Sequence, residues 1–201
     1  MTVQTMDMQP PGLTMPPDAA ELVTRVYERA QAILEYGAGG STVLAANMAG
    51  KHVTTVESDR AWVRRMRRWF QSNPPGDGTT VDVVWANIGD TTDWGHPVND
   101  DSWRRFSNYP LRIWQRDGFR HPDAVLVDGR FRIGCALATV FSITRPVTLL
   151  FDDYTRHASY RQVEEYLGQP RMTGRMAEFR VKPAAIPADR LLQIVKFMSR
   201  A

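Results

Sequence analysis

The chain has 201 residues, enough for one α/β domain with a real core and too few for a second sizeable one. Its composition is that of an ordinary globular protein, 43% apolar and 23% charged. Lys and Arg outnumber Asp and Glu by 25 to 22, which permits an anionic partner and does not demand nucleic acid. The single cysteine, Cys135, excludes an intrachain disulfide and sits in an apolar run, as an inert buried thiol would. No basic stretch followed by an apolar core opens the chain, and no run of about 18 apolar residues follows, so a cytoplasmic protein with no membrane partner is expected.

Residues 1–17, rich in Met, Pro and Thr and without periodicity, read as a tail, and residues 18–201 as one domain. Asp18, with Glu21 three residues on, predicts a capping box and a helix to about Ala30. "QAILEY" reads as a buried strand, "STVLAANMA" as the helix after it, and "HVTTVE" as the second strand. In "DRAWVRRMRRWF" the apolar residues recur at helical spacing, and Arg64, Arg65, Arg67 and Arg68 form a solvated face. "VDVVWA" is the third strand. Residues 90–121 are irregular and read as a lid or acceptor-binding excursion. "DAVLVD" is the fourth strand, "FRIGCALATVFSI" a buried helix, "VTLLFDD" the fifth strand and "SYRQVEEYL" a short amphipathic helix. "MAEFRV" and "LLQIVKF" are expected to form an antiparallel pair of strands, because no helix-sized segment separates them.

Strands alternating with helices imply a largely parallel sheet covered on both faces, with ligands bound past the carboxyl ends of its strands. Glu35, Gly37, Glu57, Asn87, Asp128, Asp152 and Asp153 all fall at such ends. Gly37, Gly39 and Gly40 let the backbone turn sharply and approach a ligand. Glu57, twenty residues after Gly37, stands where a carboxylate accepts both hydroxyls of a ribose. A dinucleotide fingerprint would place a third glycine where Thr42 stands and has no use for Glu35, and no G-K-[ST] follows the glycines to make a Walker loop. Glu35 instead suits a ligand with an ammonium group, and S-adenosylmethionine has both an ammonium and a ribose.

"LEYGAGGSTVLAA" followed by "VESD" resembles motif I and the following acid of class I S-adenosylmethionine-dependent methyltransferases. "DAVLVDGRFR" and "TLLFDDY" are similar to the DG and DDY segments of a bacterial O-methyltransferase-like branch, some of whose relatives use a divalent metal. The resemblance implies a Rossmann-like methyltransferase fold, with a mostly parallel seven-stranded sheet, helices on both faces and an antiparallel strand near the end. It implies that Glu35, Gly37, Gly39 and Ser41 line the methionine and ribose region, that Glu57 holds the ribose, and that Asn87 and Ile88 flank the adenine. Asp128 then lies near the sulfonium and, with Asp152, is a catalytic candidate.

The chain departs from the branch at Ser41, in place of a glycine, and at Arg130–Arg132, where a histidine commonly follows DG. The expected function is methyl transfer to a small-molecule oxygen. A catalytically silent cofactor-binding module and, behind it, an NAD-dependent oxidoreductase are the alternatives. Arg104, Arg105, Arg112 and Arg116 favour an anionic acceptor. His121 and His157 are the weaker candidates for a base. Asp128, Asp152 and Asp153 are metal candidates, but Arg130, Arg132 or Arg156 neutralising them is the favoured reading.

Overall fold

A computed structural model describes residues 10–201, so the first part of the expected tail, residues 1–9, lies outside the described residues. Helix α1 spans Pro17–Arg29. Asp18 does not cap it. Pro17 has no N–H to satisfy and opens the helix, so Asp18 is already in the first turn and accepts only from Ala19 N at 2.9 Å.

Five strands follow: β1 (Ala32–Tyr36), β2 (His52–Glu57), β3 (Thr80–Trp85), β4 (Ala124–Val127) and β5 (Val147–Phe151). All pair in parallel. A hairpin of β6 (Arg171–Thr173) and β7 (Met176–Val181) adds antiparallel to β5. The seven-stranded order is β3-β2-β1-β4-β5-β7-β6. This is the mostly parallel sheet that strand–helix alternation implies.

The pleat sends alternate residues to opposite faces, so each face has its own core. Ile33, Val53, Leu126 and Leu150 pack with α1 and with Ala45 of α2 (Gly40–Ala46). Leu34, Tyr36, Val125, Val127 and Phe151 pack with α5 (Arg132–Ser142), which is buried at every residue from Arg132 to Val140. Helix α3 (Arg60–Ser72) buries Val63 and Met66 and turns Arg64, Arg65, Arg67 and Arg68 outward. Asp59 caps it, accepting from Ala61 N at 2.7 Å and Trp62 N at 3.1 Å.

Two segments differ from expectation. Within residues 90–121, expected to be irregular, residues 103–115 are ordered. They form short helical turns around α4 (Asn108–Leu111), and Phe106, Tyr109 and Ile113 join the α5 core. The Tyr36 hydroxyl ties them down, donating to Pro110 O at 2.7 Å and accepting from Trp114 Nε1 at 2.8 Å. "LLQIVKF" is not a strand but a helix. After the short α6 (Glu164–Leu167), α7 (Leu191–Met198) buries Ile194, Phe197 and Met198, the spacing of one helical face. It packs on α5 where Gly134 stands, since a Cβ there would lie 2.8 Å from Phe197 O. The hairpin partner of β7 is β6 instead. No helix among the described residues is long and apolar enough to cross a membrane.

Candidate active site

The strand order reverses between β1 and β4, which pair with each other in parallel while the chain builds outward to β2 and β3 on one side and to β5 on the other. A cavity of about 910 Å³ opens at their carboxyl ends. The loops after β1 and β4 meet glycine to glycine at its floor. Gly37 has φ +104°, and a Cβ on it would lie 2.9 Å from Gly129 N, so conformation and space both require glycine. Gly39 differs. Its φ of −178° is extended backbone, and a Cβ there meets nothing within 4 Å, so it faces the open cavity. Gly40 is crowded by the segment ahead of α1, with Gly12 O 2.5 Å from where its Cβ would be. Residues Pro11 to Met15 thus form one wall of the cavity, a role that a Met- and Pro-rich composition did not signal.

Two carboxylates shape the cofactor-loop side. Glu35 lies on the α1 and α2 face of β1 and is fully buried. Its Oε1 accepts from Tyr27 Oη at 2.7 Å and its Oε2 from Thr42 Oγ1 at 2.5 Å. Thr42 Oγ1 in turn accepts from Gly39 N at 3.0 Å, so this relay fixes the loop from beneath. Burial raises the Glu35 carboxyl above its usual range, partly offset by these hydrogen bonds. Glu35 does not line the cavity, contrary to the expectation that it meets a ligand's ammonium group.

Glu57 does line it. Oε1 accepts from Ser58 N at 2.6 Å and Asp59 N at 3.0 Å, and Oε2 accepts from Ala38 N at 3.2 Å. Burial raises this carboxyl too, and the backbone N–H groups of Asp59, Ala38 and Ser58 pull it back. The Oε2 edge carries one long hydrogen bond and has acceptor capacity to spare.

The side formed by β4 and β5 is built from charge. Carboxylate oxygens of Asp128, Asp152 and Asp153 lie within 4.8 Å of one another. Arg175, on the β6–β7 turn, grips Asp152 in bidentate fashion, Nε to Oδ1 at 3.0 Å and Nη2 to Oδ2 at 2.6 Å, and reaches Asp153 Oδ1 at 3.2 Å. Arg132 Nη2 lies 3.3 Å from Asp128 Oδ1 and 3.5 Å from Asp153 Oδ2. Arg156 Nη1 adds 3.6 Å to the same Asp153 oxygen. Guanidinium groups therefore hold the oxygens a divalent cation would need, and a cation placed among them would face Arg132 and Arg175 at short range. The donor set does not fit a metal. Of the neutralising arginines expected, Arg132 and Arg156 take part. Arg130 does not, and Arg175 was not anticipated.

Asp128 is the half-open member, 28% exposed, against 1% for Asp152. Burial, with the nearby Asp152 and Asp153 charges, pushes it up to about 7 against the pull of Arg132. Asp152 lies behind the cavity wall, and its neighbour Asp153 lines the cavity. Tyr109 lines it as well, donating to Val56 O at 3.2 Å, and burial keeps its hydroxyl protonated.

Several of the expected residues stand outside the lining of the main cavity. Asn87 lines a second cavity of about 500 Å³ that shares Asp59 with the main one, and its Oδ1 accepts from Gly89 N at 3.0 Å. Ile88 is fully buried in the core. The aromatic walls near Glu57 are instead Trp62 and Trp94. Arg104, Arg105, Arg112 and Arg116 do not reach the main cavity. Arg116, for example, pairs with Asp82 at 2.5 Å on the surface. Ser41 and His157 line the cavity, whereas His121 accepts from Thr144 N at 2.9 Å, away from it. The non-glycine residues with positive φ among those described are Trp94, Phe131 and Asp153, at 60°, 51° and 54°, and all three line this cavity. Backbone strain of that kind gathers at functional sites.

No family model and no curated protein matches the chain. Among solved structures it is similar to a methyltransferase-like protein from Silicibacter pomeroyi, with 59% identity over 96% of this chain and 100% of that one and a TM-score of 0.95. It shares its fold with an O-methyltransferase, TomG, from Streptomyces achromogenes in complex with SAM (15% identity, 86% of this chain and 82% of that chain, TM-score 0.54). The same holds for an O-methyltransferase from Bacillus cereus in complex with SAH (14% identity, 85% and 84%, TM-score 0.54). With this sheet order, this glycine loop and a relative of that identity along nearly its whole length, the chain belongs to the class I S-adenosylmethionine-dependent methyltransferase family.

Proposed function

We propose that the protein transfers a methyl group from S-adenosylmethionine to an oxygen of a small-molecule acceptor. One observation carries the reading. A single cavity has the glycine loop and the spare Glu57 oxygen at one side and Asp128, poised near neutrality, at the other. The cofactor fits the residues present. Gly39 leaves its side open for a ligand's backbone-sized approach, and Glu57 offers a carboxylate to ribose hydroxyls. The described stretch Pro11–Met15 closes over the same loop as one wall of the site.

When bound, the cofactor supplies an electrophilic methyl group on a positively charged sulfur. The chain's task is to hold an acceptor hydroxyl in line with it and to remove a proton. Asp128 Oδ would accept the proton that the acceptor hydroxyl gives up, while Glu57 and the Gly37–Ser41 loop would hold the cofactor that supplies the methyl group. A carboxylate at about 7 is half ionised near neutral pH and basic enough for the work. Arg132 keeps Asp128 from rising further, and Arg175, by holding Asp152 and Asp153, offsets part of the repulsion they exert on it. Asp152 is thus a positioning residue.

The test is a methyl-transfer assay with labelled cofactor against a metabolite extract, the product identified by mass spectrometry. A labelled O-methyl product from wild type, absent with Asp128→Asn, supports the reading. Labelled product formed equally well by Asp128→Asn removes Asp128 as the base.

A further inference from the structure

The arginines of the cavity divide into two kinds. Arg132, Arg156 and Arg175 each hold an aspartate. Arg130 pairs with no carboxylate among the described residues, although it sits two positions after Asp128 and lines the same cavity. Its Nε is buried without a hydrogen-bond partner. Its Nη1 meets only the ring Nε2 of His96, a neutral acceptor. Burial and the neighbouring Arg130 charge hold His96 below its usual range, and an imidazole carries no negative charge in either state, so the ring gives Arg130 no counter-charge. Of the charges that act on Arg130, Arg132 repels it, and Asp128 is already engaged by Arg132. A half-buried cation with a buried, unused N–H is unfavourable unless an anion completes it.

We infer that the acceptor carries an anionic group, a carboxylate or phosphate, which pairs with Arg130 and so sets the acceptor's hydroxyl beside Asp128. This rests on the methyltransferase reading and adds the substrate class. A guanidinium offers planar pairs of N–H donors matched to either anion. His96 is displaced as the anion arrives. The arginine inferred to pair with the anion is thus not one of those of residues 104–116, from which an anionic acceptor was expected.

One other source of an anion is the cofactor's own carboxylate, and calorimetry separates the two. S-adenosylhomocysteine is titrated first, then benzoate, inorganic phosphate and neutral benzamide into the protein saturated with it. The same series is run on Arg130→Gln and Arg130→Lys, with circular dichroism as the control for folding. Benzoate or phosphate should bind the wild type at millimolar concentration and benzamide should not. Arg130→Gln should weaken the anion at least tenfold and leave S-adenosylhomocysteine within twofold, and Arg130→Lys should recover part of the loss. Anions that do not bind, that bind Arg130→Gln equally, or that bind no better than benzamide overturn the inference. So does a tenfold loss of S-adenosylhomocysteine affinity in Arg130→Gln without loss for 5′-methylthioadenosine, which lacks the carboxylate. Failure of wild type to bind S-adenosylhomocysteine at all counts against the methyltransferase reading itself.

Discussion

The two sides of the cavity hold their carboxylates in different ways. On the β1–β2 side, Glu35 and Glu57 are satisfied by hydroxyls and backbone N–H groups, and no arginine among the described residues pairs with either. On the β4–β5 side, Asp128, Asp152 and Asp153 are held by Arg132, Arg156 and Arg175. Neutral dipoles leave a carboxylate free to accept from an uncharged polyol without competition from a cation. Paired guanidiniums let like charges crowd together and tune one of them. The first arrangement suits recognition of hydroxyls, and the second suits proton transfer.

The largest effect is expected where the charged side is cut. Removing one partner of a buried ion pair costs roughly 3–5 kcal/mol, because the other charge is left unpaired. Arg175 is 34% exposed, so water replaces part of its contribution. Arg175→Met should therefore destabilise the protein by about 2–3 kcal/mol in urea unfolding. Adding Asp152→Leu should recover most of that loss, and a double variant as unstable as the single one would show that the pair is not what Arg175 stabilises.

Cutting the dipolar side should separate binding from folding. Gly39→Val adds a branched side chain where open space lies, so its melting temperature should match wild type while S-adenosylhomocysteine binding disappears. A folded variant that still binds would make the loop only a turn. Glu57→Gln should weaken S-adenosylhomocysteine by about tenfold or more, since hydrogen bonds to a charged acceptor are worth roughly 1.5–3 kcal/mol each before water compensates. Glu35→Gln should show the reverse pattern. It forfeits one buried hydrogen bond, so stability should drop by about 1–2 kcal/mol while cofactor affinity moves by less than about threefold. If Glu35→Gln lost binding as Glu57→Gln does, the assignment of one to the loop's support and the other to the ligand would fail.

The mildest perturbation is pH. Asp128 stands raised to about 7, so it is protonated and unable to take a proton below that value. Methyl transfer should rise with pH through about 7 and level off above it. The sign for stability is opposite. An acid whose folded value is raised holds its proton more tightly when folded, so its contribution to stability falls as pH rises from its unfolded value of 3.8 to about 7. A rate that is flat between pH 6 and 8 would remove Asp128 as the base.

Much of this was legible in the chain because it is local. Strands one to five end in residues whose types are unusual for a strand end, and the glycine loop with Glu57 needs only the spacing of one strand–helix–strand unit. The mostly parallel sheet follows from alternation and the family's motifs. What was not legible comes from packing between distant segments. Arg175 lies on a turn whose only local signal is Gly174, yet it closes the aspartate cluster. Pro11–Met15 and Trp94–His96 have no periodicity, and their place on the cavity wall is decided by what they pack against. Glu35 was read as a ligand contact from its nearness to the loop. The alternation of β1 sends it to the α1 side instead, where Tyr27 and Thr42 wait. "LLQIVKF" is a short apolar run of the kind that periodicity alone does not assign, and its packing on Gly134 makes it a helix.

Calorimetric titration of S-adenosylhomocysteine, with NAD as the competing ligand, tests the central claim most directly. One-to-one binding of S-adenosylhomocysteine, no heat with NAD, and loss of that binding in Gly39→Val are the results predicted. No heat with S-adenosylhomocysteine, or binding of NAD in its place, would contradict the assignment of this cavity to methyl transfer.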